Sequence, residues 1–334
     1  MKKVLLAVVG ILFAATSFAQ NALVASLSHG TDAPKYYYGV TALVQAVTAA
    51  ESGDIINLSG GTFNAIDISK GITIRGAGID SASPTDINGD ISIQIADDDD
   101  QPFMAEGIRF IGETHMIRKV SAPYCYFVRC KFNKFRTYPD AATITNLAFL
   151  NCKFTDYFQT YGTSSVYLQN CYIYNMTTYS SSSVTATNCI IKTVANTHGY
   201  LLIANSILTN CIFYYGDYGL QSTNQAFNCI NVTESTSDND IFQNLSQRTG
   251  CPTDSKAFAD VFKTFTGTYS DSETFELTDA AKTTYLGTDG RQMGMYGGSQ
   301  PYNSVPSYPL ITTMTVGEQT DANGQLSVTI ETNK

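Results

Sequence analysis

Arg109, Lys131 and Lys153 hold one repeated place in this chain, so the first chemistry on offer is a row of like charges. Between residues 109 and 153 there are eight Lys and Arg against only Glu113 and Asp140, while the whole chain carries a net charge of −9. Cations side by side on neighbouring strands repel one another, so such a row needs anions over it. Carboxylates or a covering loop of the protein itself would serve. An acidic polymer, such as a uronic-acid chain, would serve equally. Tyr172 holds the next place in the row. A second series, Tyr161, Tyr179, Tyr200 and Tyr218, falls 10 or 11 residues before successive cysteines. Facing outward, these rings would stack on sugars and donate hydrogen bonds. Facing inward, they would be one more core stack.

Bond-breaking chemistry is less well supplied. Glycoside hydrolysis needs an acid and a base carboxylate at a set separation. From residue 101 to 216 the acids are Glu106, Glu113, Asp140 and Asp156, and no two occupy matched places. A lyase needs a cation to neutralise the uronate carboxylate and a base to take the α-proton. His115, Arg118 and Lys119 stand close together and are the best base candidates. Asp97, Asp98, Asp99 and Asp100 offer oxygen ligands of the kind Ca²⁺ takes, or simply a solvated acidic loop. His29 and His198 sit in loop-like contexts. No phosphate loop, nucleophile elbow or metal motif is present, and no motif calls for a cofactor. The acidic charge argues against nucleic acid as a partner.

The elements that must position these residues are announced by cysteine. Asn precedes Cys at 152, 171, 189, 211 and 229, and Arg129 precedes Cys130. Successive cysteines are 22, 19, 18, 22 and 18 residues apart. A period near 20 marks stacked units, each too small to bury a core alone. Two residues after each of the first five cysteines comes Phe132, Phe154, Ile173, Ile191 or Phe213. Three and five residues before come mostly apolar pairs such as Leu147/Phe149 and Val166/Leu168. Period-two apolarity predicts strands with one buried face. Each unit therefore carries two strands with Asn in the bend between them, since Asn tolerates the left-handed backbone of a tight turn. The residue directly after the buried position of each coil points outward, which places Arg109, Lys131, Lys153 and Tyr172 in line at spacings of about 4.8 Å.

The Asn-Cys-x-Phe/Ile repeat resembles the right-handed parallel β-helix of the pectin-lyase-like superfamily. Ala42-Leu43-Val44-Gln45-Ala46-Val47, Gly53-Asp54-Ile55-Ile56-Asn57-Leu58, Gly61-Thr62-Phe63 and Gly71-Ile72-Thr73-Ile74-Arg75-Gly76 resemble that superfamily's capping helix and first coil. Asp289-Gly290-Arg291-Gln292-Met293-Gly294 with Tyr296-Gly297-Gly298 resembles the end of secreted β-helix proteins from polysaccharide-using bacteria. The resemblance spans about residues 38 to 300. It implies an all-β solenoid whose third-strand face carries a substrate cleft. It does not choose among lyases, hydrolases, esterases and inactive binders. The paired aspartates of polygalacturonase-like enzymes and the Arg-x-Pro-x-x-Arg element of pectate lyases are not found.

Cysteines at equivalent places would stack about 4.8 Å apart with parallel Cβ vectors, a poor geometry for disulfides. Cys130, Cys152, Cys171, Cys189, Cys211 and Cys229 are therefore expected as a buried column of free thiols. Cys251 is read as lying off the repeat. Residues 1–19 read as a secretory signal, with Lys2 and Lys3 before an apolar run and Ser17-Phe18-Ala19 at the cleavage site. The run is shorter than the ~20 residues that span a bilayer. A mature chain from Gln20, secreted or held in the cell envelope, is expected. An amphipathic helix over 38–51 should cover the first coil, coils should run from Asp54 to Asn244, and 245–285 should cap the far end. One domain thus spans 20–298. Residues 299–309 read as a strap, and two strand-like runs around Asn323-Gly324 read as a hairpin. The sequence points to an exported β-helix that binds an acidic polysaccharide. A polysaccharide lyase with degenerate motifs, or a non-catalytic structural or adhesive surface protein, are the alternatives.

Overall fold

The computed structural model describes residues 23–308, apart from 96–98, 117–124, 138–143, 163, 180, 193–202, 216–219, 235, 237 and 239, together with the backbone of 310–320 and 326–333. It is an all-β, mostly parallel solenoid of about 8 turns. One sheet, here sheet A, opens with Lys35–Tyr38 antiparallel to Val24–Ser28, which lies antiparallel to Ile55–Leu58. Every later strand joins in parallel, ending at Gln247–Thr249. The other sheet, B, runs from Gly61–Asn64 to Lys256–Ala257. The helix Ala42–Ala49 buries Ala42, Leu43, Ala46 and Val47 and packs on the first strands of both sheets. It covers the open first coil, as expected.

The bend between the two sheets is set by single residues. Asn151, Asn170, Asn188, Asn210 and Asn228 have φ between 49° and 56°, and Arg129 has φ 53°. Left-handed backbone costs most residues about 1–2 kcal/mol, and Asn less because its short side chain can hydrogen-bond locally. Gly107 and Gly250, each with φ 68°, fill the same place ahead of Ile108 and Cys251. Cys251 therefore belongs to the repeat, 22 residues after Cys229, which corrects the reading that set it apart. Its Sγ accepts from the Cys229 backbone N–H at 3.4 Å.

All eight cysteines are free, and all but Cys251 are buried. The thiols of Cys130, Cys152, Cys171, Cys189, Cys211 and Cys229 lie in the core, where each donates to a carbonyl of the preceding coil. Examples are Cys152 to Phe127 at 3.3 Å and Cys229 to Leu208 at 3.4 Å. Burial pushes the Cys152, Cys189 and Cys229 thiols up, and Cys125 up to about 12, so they remain protonated hydrogen-bond donors. Beside them lies an aromatic column. Phe110, Phe132 and Phe154 stack at centroid distances of 4.8 and 5.1 Å, and Phe127 stacks on Phe149 at 5.0 Å. Each such ring contributes roughly 2–3 kcal/mol by leaving water.

The period continues through Gln247–Thr249 and Lys256–Ala257, one turn further than Asn244. Residues 258–302 then lie along the outside of sheet B rather than over the solenoid's end. Phe258, Val261, Phe262, Phe265, Phe275, Leu277, Met293 and Met295 pack on Tyr172, Ile190, Ile212, Tyr214, Ile230 and Val232 as a second hydrophobic core. The cause is visible in the outward row, which turns apolar after Lys153 and so offers a stripe that needs covering. Beyond this wrap, Ser307 donates to Glu106 from its N–H at 2.8 Å and its hydroxyl at 3.0 Å, and the Tyr308 hydroxyl donates to the Gly76 carbonyl. The strap thus returns to early coils. Leu310–Thr320 and Leu326–Asn333 pair antiparallel, as the hairpin reading expected; Asn323-Gly324 lies outside the described residues.

Candidate functional site

Parallel pairing puts the cation row in register as the repeat predicts. Lys131 stands opposite Arg109 on one side and Lys153 on the other, and Lys153 stands opposite Tyr172. What needs correcting is its exposure. Asp86 precedes Arg109 in the same row and accepts from its Nε at 2.5 Å and its Nη2 at 2.8 Å. Lys131 Nζ donates to Asp271 of the wrap at 2.7 Å. Lys153 is buried, with Asp80 3.8 Å away. Tyr172 is wholly buried, its ring 4.4 Å from that of Phe275 and its hydroxyl 2.6 Å from that of Tyr214. No face of Tyr172 is left for a sugar. Between the row and the wrap remains a cleft of about 550 Å³, lined among others by Asp80, Arg109, Lys131, Lys153, Asp271 and Tyr302.

A second polar surface lies further along the same strands. Ile108–Met116, Lys131–Thr137 and Lys153–Thr160 bend midway, and the register shifts by one residue between Phe132 and Lys134. Past the bend, two new outward rows form. Glu113, Lys134 and Tyr157 make one, and His115, Arg136 and Gln159 the other. His115 Nε2 is 3.0 Å from Glu113 Oε1, and Arg136 Nε is 3.2 Å from the same oxygen. Arg136 donates to Gln159 Oε1 at 3.2 Å and to the Tyr157 hydroxyl at 2.9 Å. Its guanidinium also lies over the rings of Tyr157 and Tyr161, 5.1 and 5.8 Å from their centroids. Burial, with Glu113 beside it, pushes the Tyr157 phenol up, so it stays protonated.

Tyr161 follows the strand Lys153–Thr160, and Tyr179 follows Met176–Thr178 in the next coil. Their rings stack at 4.3 Å and 22°, and the Tyr179 hydroxyl donates to that of Tyr161 at 3.3 Å. The Tyr161 hydroxyl in turn donates to Gln159 at 3.2 Å. Tyr161 is half-buried and Tyr179 is 41 % exposed. For this pair the outward phase is the observed one. A planar guanidinium, an amide, an imidazole and two tyrosines thus share one face within hydrogen-bonding reach. Such groups suit hydroxyl-rich rings, to which they can both donate and accept.

The remaining candidates are placed as follows. Arg118, Lys119, Tyr200, Tyr218, Asp97 and Asp98 lie outside the described residues, as does His198. Asp99 spends its carboxylate on the protein. It accepts from Ser52 at 2.5 Å, Gly71 at 2.7 Å and Gln101 at 3.0 Å. Burial opposes its ionisation, but these bonds outweigh burial and hold its pKa below the usual carboxylate value. Asp100 accepts from the Gln101 side chain. Among the described residues no group of three or more His, Cys, Asp and Glu is arranged to hold a metal ion. Glu113, Arg136, Tyr157 and Gln159 escaped the sequence reading because of the bend. Counted from the cation row, His115 and Gln159 come six residues later but Arg136 only five, so no fixed offset aligns them.

No family model matches the chain, and no similar curated protein or solved structure is found.

Proposed function

We propose that this protein is an exported polysaccharide-binding β-solenoid, and that the glycan lies on the face built by His115, Arg136, Gln159, Tyr161 and Tyr179. The observation that carries this reading is the Tyr161–Tyr179 pair, stacked and partly exposed beside an in-register polar row. Export rests on the signal-like residues 1–19, and affiliation with the pectin-lyase-like superfamily rests on the repeat and the capping helix. The contact surface moves away from Arg109, Lys131 and Lys153, because acidic side chains and the wrap already cover them. On this face Glu113 faces both Arg136 and His115, so recognition there works through hydroxyls and ring faces more than through net positive charge.

The test is a glycan array followed by calorimetry on the best binder. Replacing Tyr161 and Tyr179 by Ala should weaken binding about tenfold or more, since aromatic contacts contribute about 0.5–1.5 kcal/mol each beyond area. The thermal midpoint should change little. A parent protein that binds no glycan, or a double variant that binds as well as the parent, refutes the reading.

A second reading, polysaccharide lyase, draws on His115 beside Glu113 with Arg136 and Gln159 in the adjoining coils. Here the imidazole would take the α-proton and the guanidinium and amide would hold the carboxylate. Release of unsaturated product from a uronic-acid polymer, lost in His115→Ala, would establish it. Binding without such product leaves the binding reading in place.

A further inference from the structure

Beneath the wrap, the lysines of two neighbouring coils each stand near a tyrosine of the wrap. In the first, the Lys131 ammonium and the Tyr269 hydroxyl together hold the Asp271 carboxylate, at 2.7 and 3.0 Å. In the second stand the Lys153 ammonium and the Tyr302 hydroxyl. The ammonium is 5.4 Å from the Tyr302 ring centroid. Here no described carboxylate lies within hydrogen-bonding range of the ammonium, Asp80 being 3.8 Å away. The Tyr302 hydroxyl is closed off from solvent and has no hydrogen-bond partner among the described residues. Burial lowers the Lys153 pKa; Asp80 opposes this in part, and neighbouring Lys131 adds repulsion.

Lys153 has the ion pair with Asp80 at 3.8 Å but no described acceptor at hydrogen-bonding distance, and a buried ammonium and a buried hydroxyl are each stabilised by such an acceptor. Arg109 and Lys131 stand in the same row but are already paired, with Asp86 and Asp271, which leaves Lys153 as the cation of the row without a close partner among the described residues. The cleft, at about 550 Å³, is far larger than the ~30 Å³ that one water takes up in the liquid. We infer that Lys153 and Tyr302 form a receptor for a single small oxyanion, a carboxylate or sulfate group, held as Lys131 and Tyr269 hold Asp271. The group could be free in solution or carried on a sugar. This site is separate from the Tyr161–Tyr179 face and does not depend on glycan binding there.

The test follows the thermal midpoint of the full chain against sodium sulfate, sodium galacturonate and glucose, with ionic strength fixed by chloride. Sulfate, galacturonate or both should raise the midpoint saturably, while glucose should not. Response to both identifies a general oxyanion site; response to galacturonate alone identifies a sugar acid. Lys153→Met should weaken the fitted affinity about tenfold or more, the loss of a charge-assisted bond. Tyr302→Phe, which keeps the ring and its packing, should weaken it by a smaller factor and serves if Lys153→Met folds poorly. No saturable response in the parent overturns the inference. So does an equal response in parent and variants, which would be a general salt effect.

Discussion

His29 is held by a carboxylate that has a second duty. Its Nδ1 lies 2.6 Å from Asp54 Oδ1, while Asp54 Oδ2 accepts the Glu51 backbone N–H at 2.8 Å. The hydrogen bond to Asp54, and then its charge, raise the imidazole pKa above the ordinary value of 6.5. A raised folded pKa means that the native state binds the proton more tightly. The contribution is therefore complete below about pH 6.5 and is lost as pH rises through the higher folded value. We predict that the parent loses more thermal stability than His29→Gln between pH 6 and 9, by a small margin because the ring is exposed to solvent. Parallel pH profiles would refute the coupling. At this scale the sequence was an uneven guide. The Asn bends were legible because Asn supplies a conformation few residues tolerate. Gly107 and Gly250 do the same work, yet a search for Asn passes over them. Lys131 and Lys153 were placed in the right row, but no local pattern reveals that Asp271, 140 residues beyond Lys131, returns to meet it.

At the scale of the element, the bends serve two purposes that substitution can separate. Asn151 supplies a left-handed residue. Asn170 supplies the same backbone, and its Nδ2 also donates to the Met295 and Gly297 carbonyls of the wrap at 2.7 and 2.9 Å. Asn151→Gly should therefore be nearly neutral, since Gly accepts this conformation freely. Asn170→Gly should cost about 1–3 kcal/mol more, for two buried hydrogen bonds at 0.5–1.5 kcal/mol each. Chemical denaturation compares the two; equal costs would mean that the wrap gains nothing from Asn170. Strand identity, strand register and the capping helix could all be foreseen, because they follow from periods of 2 and 3.6 in the residues themselves. The bend within the sheet B strands could not. It changes the count by one residue in Lys131–Thr137 relative to its neighbours, and that hides the rows to which His115 and Arg136 belong.

Across the whole molecule, the wrap converts an outward row into an interior. A chain ending at Ala257 would bare Tyr172, Ile190, Ile212 and Ile230 as one continuous stripe, each of which is at most 1 % exposed in the intact protein. Exposed apolar patches of this kind promote association. We predict that such a truncation self-associates on size-exclusion chromatography and binds a hydrophobic dye, whereas the full chain does neither. A monomeric, dye-silent truncation would show that the stripe needs no cover. That the repeat stops was legible, but not that it runs on through Ala257; where the chain goes next was not legible either, because a segment without period carries no register.

Solenoids commonly change length by gaining or losing whole coils, since each unit contacts only its neighbours. This one has given up that freedom. Ser307 meets Glu106, Met295 and Gly297 meet Asn170, and the Thr288 N–H meets Asn210 Oδ1 at 3.0 Å. Each partner sits at a fixed coil, and the wrap passes them in reverse order. Duplicating the coil around Cys189 would move Asn210 one strand spacing, about 4.8 Å, further from Asn170, and the folded peptide between Thr288 and Met295 would have to give up turn bonds such as Met293 N–H to the Tyr285 carbonyl to keep both contacts. The wrap therefore counts coils, and relatives that keep it should keep the number of turns between Glu106 and Asn210 even where the residues within those turns differ.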